Sequence, residues 1–509
     1  MVAQCEGPSA AADLVGRHWD MYAGTAAEHL LAAVRALPGE VFVDNAGMLV
    51  AANYLQHVVS GGAPHRFEQD PRLASAPDDP SRSLAEQLIG LTGTAATERT
   101  RGNYARAADA AREARRRLNV AEDGDVAPIR SNLPHLFLQW GRALEDRGDD
   151  GVDAEFEYEE SHRLGLATNQ PQIARRAAGH LAWYHAFRGR LSLSDDWLDR
   201  ARSTGEPVPR YDAVNHLTAA LLALDRHDAV GAGEELRLLD GHEIGEYWAA
   251  ALWVKSFAVH SARDRAHLES DTAREVGRRP PAVTSDGVNG RLLQATWMRL
   301  GHPVASTPHS TASEAALEAA LEYRRGDYRR AVRAAAAATG PSSTPRVRAG
   351  ALLVTAASAH GLGRASVAHE TFELAHSIIE RESIRTTYET ISREHLDALA
   401  VAVLGETVST SVARPSTSDA GVLLARLTRR ERQVLVMLLS DRPMAAIARE
   451  LFISPNTLKG TTRRLYRKLC VSSRSAAAEV AHRAGVHAEE GVAAVTPVPR
   501  VPSRLDPRE

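Results

Sequence analysis

Between about residues 90 and 400 one arrangement of small residues keeps returning, and it limits this stretch to closely packed helical pairs. Gly102-Asn103-Tyr104 is followed by Ala107, Ala111 and Ala114, and Gly326-Asp327-Tyr328 is followed at the same offsets by Ala331, Ala335 and Ala338. Gly189, Leu191, Ser194, Leu198 and Ala201 repeat the arrangement, as do Gly363, Ala365, Ala368, Phe372 and Ala375. Weaker copies centre on Gly148 and His227. An alanine stands seven residues before the glycine or its equivalent at Ala182, Ala220, Ala319 and Ala356. Small residues three and four apart mark one face of a helix, and glycine suits the turn that ends one. The fold class expected is all-α.

A single hairpin of this kind cannot bury its apolar face, so neighbours must stack into a solenoid. The copies lie roughly 37–46 residues apart, looser than the ideal of about 34 for a tetratricopeptide repeat, with one longer gap near residues 278–313. In its helix, turn, helix grammar the region resembles the tetratricopeptide-type repeat (TPR). That resemblance implies a concave face for a peptide, a protein or a small ligand. A generic alanine-rich bundle is the alternative, and fold alone does not name an occupant. Trp183, Tyr184, His185 and Trp197 cluster around one hairpin and Trp248 and Trp253 around another, a placement commoner for core than for pocket. Glu155, Glu157, Glu159 and Glu160, and likewise Arg115, Arg116 and Arg117, read as solvated helix faces.

A second pattern lies near the C-terminal end. Thr428 and Glu431 form a T-x-x-E capping box, and Val434, Leu435, Leu438 and Leu439 follow it at one-face spacing. Asp441-Arg442-Pro443 breaks that helix, and Met444, Ile447, Ala448 and Leu451 make a second apolar stripe. Ser454-Pro455 then starts a third helix, with an N-cap residue and proline at the first helical position. Within it Leu458, Leu465 and Leu469, with Thr461 or Thr462, can face inward, leaving Lys459, Arg463, Arg464, Arg467 and Lys468 outside or along the edge. A short helix, a tight turn and a helix with one cationic face meet the requirement for major-groove insertion. The competing reading is a solvated basic helix in an ordinary bundle.

Residues 427–474 resemble the LuxR-type helix-turn-helix, through LTRRERQVL at the start, Ile447, Ala448, Leu451, Ile453 and Ser454 in the middle, and Thr457, Lys459, Leu465, Lys468, Leu469, Val471 and Arg474 beyond. The resemblance implies that Lys459 and Arg463 reach bases, while Thr457, Arg464, Arg467 and Lys468 contact the phosphate backbone. It also implies that the following small-residue helix, 475–484, pairs two domains through Ala477, Val480, Ala481 and Ala484; simple packing against the first helix is the alternative. Asp441, Ala446, Gly460, Thr461 and Thr462 depart from the family pattern. Gly460 removes one base-reading side chain from the recognition helix, where glycine costs about 1 kcal/mol relative to alanine.

Charge is divided in the same way. Residues 426–483 hold 13 Arg and Lys against 4 Asp and Glu, a net +9, so the rest of the chain carries −12 to give −3 overall. The basic end suits phosphate, and the acidic remainder should stay away from it. Lysine occurs only as Lys255, Lys459 and Lys468, and Lys255 lacks the preceding glycines of a phosphate-binding P-loop. No C-x-x-C, H-E-x-x-H or G-x-S-x-G motif occurs, and Cys5 and Cys470 cannot build a disulfide framework. Neither a cofactor nor enzymatic activity is expected. The first residues lack the basic and apolar regions of a secretory signal, and no apolar run reaches membrane-spanning length, so a cytoplasmic protein without a membrane partner is expected.

The plan that follows has five parts. Residues 1–90 are a poorly defined segment, with a helix expected near His29, a strand or buried helix end at Val41-Phe42-Val43, and loop over 63–82. Residues 91–404 are the TPR-like solenoid, 405–422 a Ser/Thr/Pro linker, 423–486 a small four-helix LuxR-type domain, and 487–509 a disordered tail. The reading is a bacterial regulator that binds double-stranded DNA as a homodimer and takes a protein or small-molecule effector at the solenoid. A protein-interaction scaffold whose helix-turn-helix reads no specific sequence is the alternative.

Overall fold

Gly189 ends a helix at φ 85°, where its N–H bonds to the Ala186 carbonyl and the Arg190 N–H to the His185 carbonyl. This is the Schellman arrangement, which closes two otherwise orphaned helix-end carbonyls and needs a left-handed residue. The same bond pair recurs at Gly102, Gly326 and Gly363. At His227 a non-glycine residue is held at φ 60° by the same two bonds, so the hairpin keeps its turn without the glycine. The turn signal in the sequence is therefore the backbone of these five hairpins.

The computed structural model describes residues 26–37, 83–148, 153–240, 244–304, 311–341, 343–408, 429–439, 444–451 and 453–468, with isolated positions 10, 55, 56, 59, 474 and 477. Every regular element among the described residues is helical. The chain divides into two units, 1–412 and 413–509. Val41 to Val43, the loop 63–82, most of the linker and the tail lie outside the described residues.

The first unit opens with α1 (Ala27–Arg35), the helix expected near His29, and continues with α2 (Leu84–Thr100), α3 (Tyr104–Asn119) and the short α4 (Asp123–Val126). Then come α5 (Leu133–Arg147), α6 (Asp153–Ala167), α7 (Pro171–Arg188), α8 (Leu191–Ser203), α9 (Pro209–Asp225) and α10 (Ala229–Asp240). They are followed by α11 (Trp248–Phe257), α12 (Ala262–Gly277), α13 (Pro281–Ser285), α14 (Gly287–Arg299), α15 (Ala312–Arg324) and α16 (Tyr328–Ala335). The unit closes with α17 (Pro345–Gly361), α18 (Ala365–Glu382), a 3-10 turn over Arg385–Thr390, and α19 (Arg393–Leu404). Consecutive helices pair as hairpins, α2 with α3, α5 with α6, α7 with α8, α9 with α10, α15 with α16 and α17 with α18, and successive hairpins stack.

The repeated small residues lie in these contacts. Ala182, Ala220, Ala319 and Ala356 are fully buried, as are Ala107, Ala331, Ala368 and Ala375. Ser194 takes one of these positions and stays satisfied by donating from Oγ to the Ala182 carbonyl at 2.7 Å. All of the hairpins share one continuous hydrophobic core. The clustered tryptophans and Tyr184 belong to that core.

The gap that interrupts the repeat has a structural role. Its helices α13 and α14 return to the first hairpins, where α14 packs on α5. Tyr104 donates to the Val283 carbonyl at 3.4 Å, and Asn289 donates to the Tyr104 hydroxyl at 3.3 Å. Gly102 lies so close to Ala282 that a Cβ would stand 2.5 Å from a backbone carbon. Farther on, α17 packs against α7.

Buried charges are paired within helices and bonded across these contacts. Arg142, 1% exposed, binds Glu145 and Asp146 at 2.9 Å each, and Tyr158 and Tyr247 both donate to Glu145. Burial raises the Asp146 pKa to about 6, opposed by Arg142 and Arg99. Two expectations are corrected here. Arg115 and Glu157 are not solvated faces; Arg115 donates to both Glu157 oxygens, Nε to Oε1 at 2.7 Å, and joins α3 to α6 with only 3% of Glu157 exposed. Arg116, by contrast, is exposed and pairs with Glu113 one turn back.

Candidate nucleic-acid interface

The second unit is built on three described helices, α20 (Arg429–Leu438), α21 (Met444–Glu450) and α22 (Pro455–Lys468). Val434, Leu435, Leu438, Ile447, Ala448, Leu458 and Leu465 form one buried cluster, with Leu439, Leu451 and Ile453 packed on its edge. Met444 departs from the expected stripe: at the first position of α21 its side chain is exposed. Thr428 and Leu469 lie outside the described residues, whereas Glu431 is buried at the start of α20.

Local bonds set the turn between α21 and α22. Leu451 N–H bonds to the Ile447 carbonyl and Ile453 N–H to the Ala448 carbonyl, both at 3.0 Å, which stops α21. Ser454 then caps α22, its Oγ accepting from the Thr457 N–H at 3.1 Å and meeting the Thr457 hydroxyl at 2.8 Å. Proline at the next position needs no N–H partner there. This cap fixes where α22 begins and so which residues share a face.

Helical geometry turns about 100° per residue. The buried positions Leu458, Thr461, Thr462 and Leu465 gather on one side of α22, which leaves positions 459, 460, 463 and 467 on the other. Lys459 and Thr457 are exposed. Arg463, Arg464, Arg467 and Lys468 lie on the same helix, but their side chains are outside the described residues. Gly460 is exposed, and no atom stands within 4 Å of where a Cβ would be. Thr461 bonds back to the Thr457 carbonyl at 2.9 Å, while the buried Thr462 hydroxyl has no hydrogen-bond partner among the described residues.

Residues 425–481 match the family model of bacterial regulatory proteins, luxR family. No curated protein and no solved structure matches the chain. The luxR-family segment takes in all three described helices of the second unit and no part of the solenoid. The second unit therefore carries a luxR-family helix-turn-helix, a DNA-binding domain.

Two residues of this luxR-family domain do more for its own packing than the pattern suggests. Arg474 donates from Nε to the Leu438 carbonyl at 2.8 Å and so closes an open carbonyl at the end of α20. Its position in the motif marked it, but only the fold reveals the bond. Ala477, expected on a pairing face, is fully buried with Val434, Leu435 and Leu465 in the domain's own cluster. Val480, Ala481 and Ala484 lie outside the described residues. Among the described residues no helix is long and apolar enough to cross a membrane.

Proposed function

We propose that this chain is a transcriptional regulator whose luxR-family domain inserts α22 into the major groove, while its TPR-like solenoid receives an effector. The observation that carries the reading is α22 itself, which buries Leu458, Thr461, Thr462 and Leu465 and turns the face of Lys459 outward within a segment matching a regulatory family. Lys459 and Arg463 read base edges; Thr457, Arg464, Arg467 and Lys468 neutralise or bond phosphates. Pairing of two domains through Val480, Ala481 and Ala484 would set half-sites about one helical turn apart.

Selection of genomic fragments by the full-length protein at two salt concentrations tests this reading. A shared, roughly palindromic site, held less tightly at higher salt, is the expected result. Salt-sensitive retention without a shared site would favour a domain that holds DNA but does not read it, consistent with the bare Gly460 position. A folded protein that retains no DNA at either salt concentration would overturn the regulator reading.

A further inference from the structure

Helices of the first unit line a half-open cavity of about 200 Å³, bordered by the ends of α5 and α7, by α11, α14, α15 and α17, and by the turn Arg385–Thr390. One wall is apolar. Phe187 and Trp253 meet edge to face with centroids 5.7 Å apart, Trp253 and Phe257 do the same at 5.1 Å, and Leu292, Met298 and Leu317 extend the surface. Small residues keep the space open: Ala295, Ala316, Ala320 and Gly350 line it, and a Cβ on Gly350 would find its nearest neighbour 3.7 Å away.

The remaining lining is cationic within an acidic unit. Arg188, Arg291, Arg299, Arg324 and Arg346 contribute, against Glu145 and Glu389. Arg291 is paired with Glu314 at 3.2 Å, Arg299 with Glu389 at 2.5 Å and Arg346 with Asp225, while Glu145 is occupied by Arg142. Arg324 is different. It donates to the Met298 carbonyl at 2.9 Å and, among the described residues, has no carboxylate within ion-pair distance. Its side chain is exposed at the edge of the cavity, and its partial desolvation, with the neighbouring Arg299, lowers its pKa. The Thr387 hydroxyl, also in the lining, is buried without a hydrogen-bond partner.

We propose that this cavity binds a small amphipathic carboxylate, with its ring or chain on the Phe187, Trp253 and Phe257 wall and its carboxylate on Arg324. An apolar site with a few polar groups that fix orientation is the usual form of a small-molecule pocket. A cavity of roughly 150 Å³ accepts benzene, so the space here takes one ring with a short acidic arm directed to its open side. Bidentate pairing of a guanidinium with a carboxylate supplies the selectivity. As an effector site the cavity rests on the regulator reading; as a binding site it does not.

Calorimetric titration of the full-length protein with 4-phenylbutyrate, 4-phenylbutanamide and 4-phenylbutylamine tests the proposal independently of DNA. Saturable binding of the carboxylate is expected, with the neutral amide at least tenfold weaker and the amine undetectable. Arg324→Gln should cost the carboxylate about tenfold and leave the amide unchanged. Ala316→Phe, with an intact melting transition, should remove binding of both. Equal affinity for carboxylate and amide would overturn the proposal, as would undiminished binding to the folded Ala316→Phe protein or no binding of phenylbutyrate, phenylacetate or octanoate. Failure to retain DNA in the fragment selection would leave each of these outcomes unaffected.

Discussion

Arg346 and Asp225 are 121 positions apart in the chain and joined by two bonds, Nη1 to Oδ1 at 3.1 Å and Nη2 to Oδ2 at 2.5 Å. The same guanidinium donates to the Ala186 and Phe187 carbonyls at 2.9 and 3.2 Å, so the start of α17 closes the end of α7 and grips the end of α9. Asp225 is fully buried and also accepts from the Thr386 N–H at 3.2 Å. Removing one partner leaves the other charge buried and unpaired. Asp225→Ala should therefore destabilise the solenoid by about 3–5 kcal/mol, and Asp225→Leu combined with Arg346→Met should recover most of the loss. Denaturant midpoints measure both; an unchanged midpoint for Asp225→Ala would refute the role given to the pair.

Thr462 presents the opposite case, a buried hydroxyl with nothing to bond among the described residues. Valine has nearly the same shape and no polar atom. Thr462→Val should stabilise the luxR-family domain by about 1 kcal/mol. The unfolding midpoint of this domain should move upward, and a downward shift would mean that the hydroxyl has a partner in solution.

Gly460 stands inside α22 with open space around its α-carbon. Alanine adds no clash there and removes the backbone freedom that glycine loses on folding. Gly460→Ala should raise domain stability by about 0.5–1 kcal/mol. If duplex affinity falls while stability rises, the bare position serves close approach to DNA.

Phosphate and base contacts separate by their salt response. Arg464→Ala and Arg467→Ala should each weaken binding to every duplex and reduce the salt slope by about one. Lys459→Ala and Arg463→Ala should instead lose preference at particular base pairs, by about 1–3 kcal/mol per pair. Equal losses on selected and random duplexes would remove the base-reading assignment.

His185 is 1% exposed, and burial lowers its pKa to about 4, with Arg190 and Arg188 acting in the same direction. Between that value and the unfolded value of about 6.5 the unfolded chain binds the additional proton. Its contribution is therefore intact above about pH 6.5 and is lost as pH falls toward 4, by up to about 3 kcal/mol. Asp146, raised to about 6, works in the other direction over part of this range, so the test is a comparison. The stability difference between the parent protein and His185→Gln should shrink from pH 7 to pH 4; a constant difference would show that the imidazole titrates normally.

The hairpin turns were legible because a left-handed residue is rare and glycine fills it most cheaply, as at Gly102 and Gly189. His227 was legible only through its neighbours, since alanine at its usual offset marks the copy where the glycine is missing. Helix α22 was legible for a similar local reason: the Ser454 cap and Pro455 fix its first turn, and the first turn fixes every face after it. Arg115 was misjudged from sequence because its partner is remote, whereas for Ala477 the sequence left pairing and packing both open. A basic residue in a basic run looks solvated until Glu157 arrives from the next hairpin, and a small residue fits a pairing face or a core equally well.

Local chemistry along the chain thus determined the helices, their turns, the repeat and the buried face of α22, because each depends on residues within one or two helical turns. Tertiary structure alone decided which charges are buried, how α13 and α14 close onto the first hairpins, and that a partly cationic cavity remains between the helices. Those outcomes depend on contacts such as Arg346 with Asp225, whose partners are brought together only by the winding of the whole solenoid.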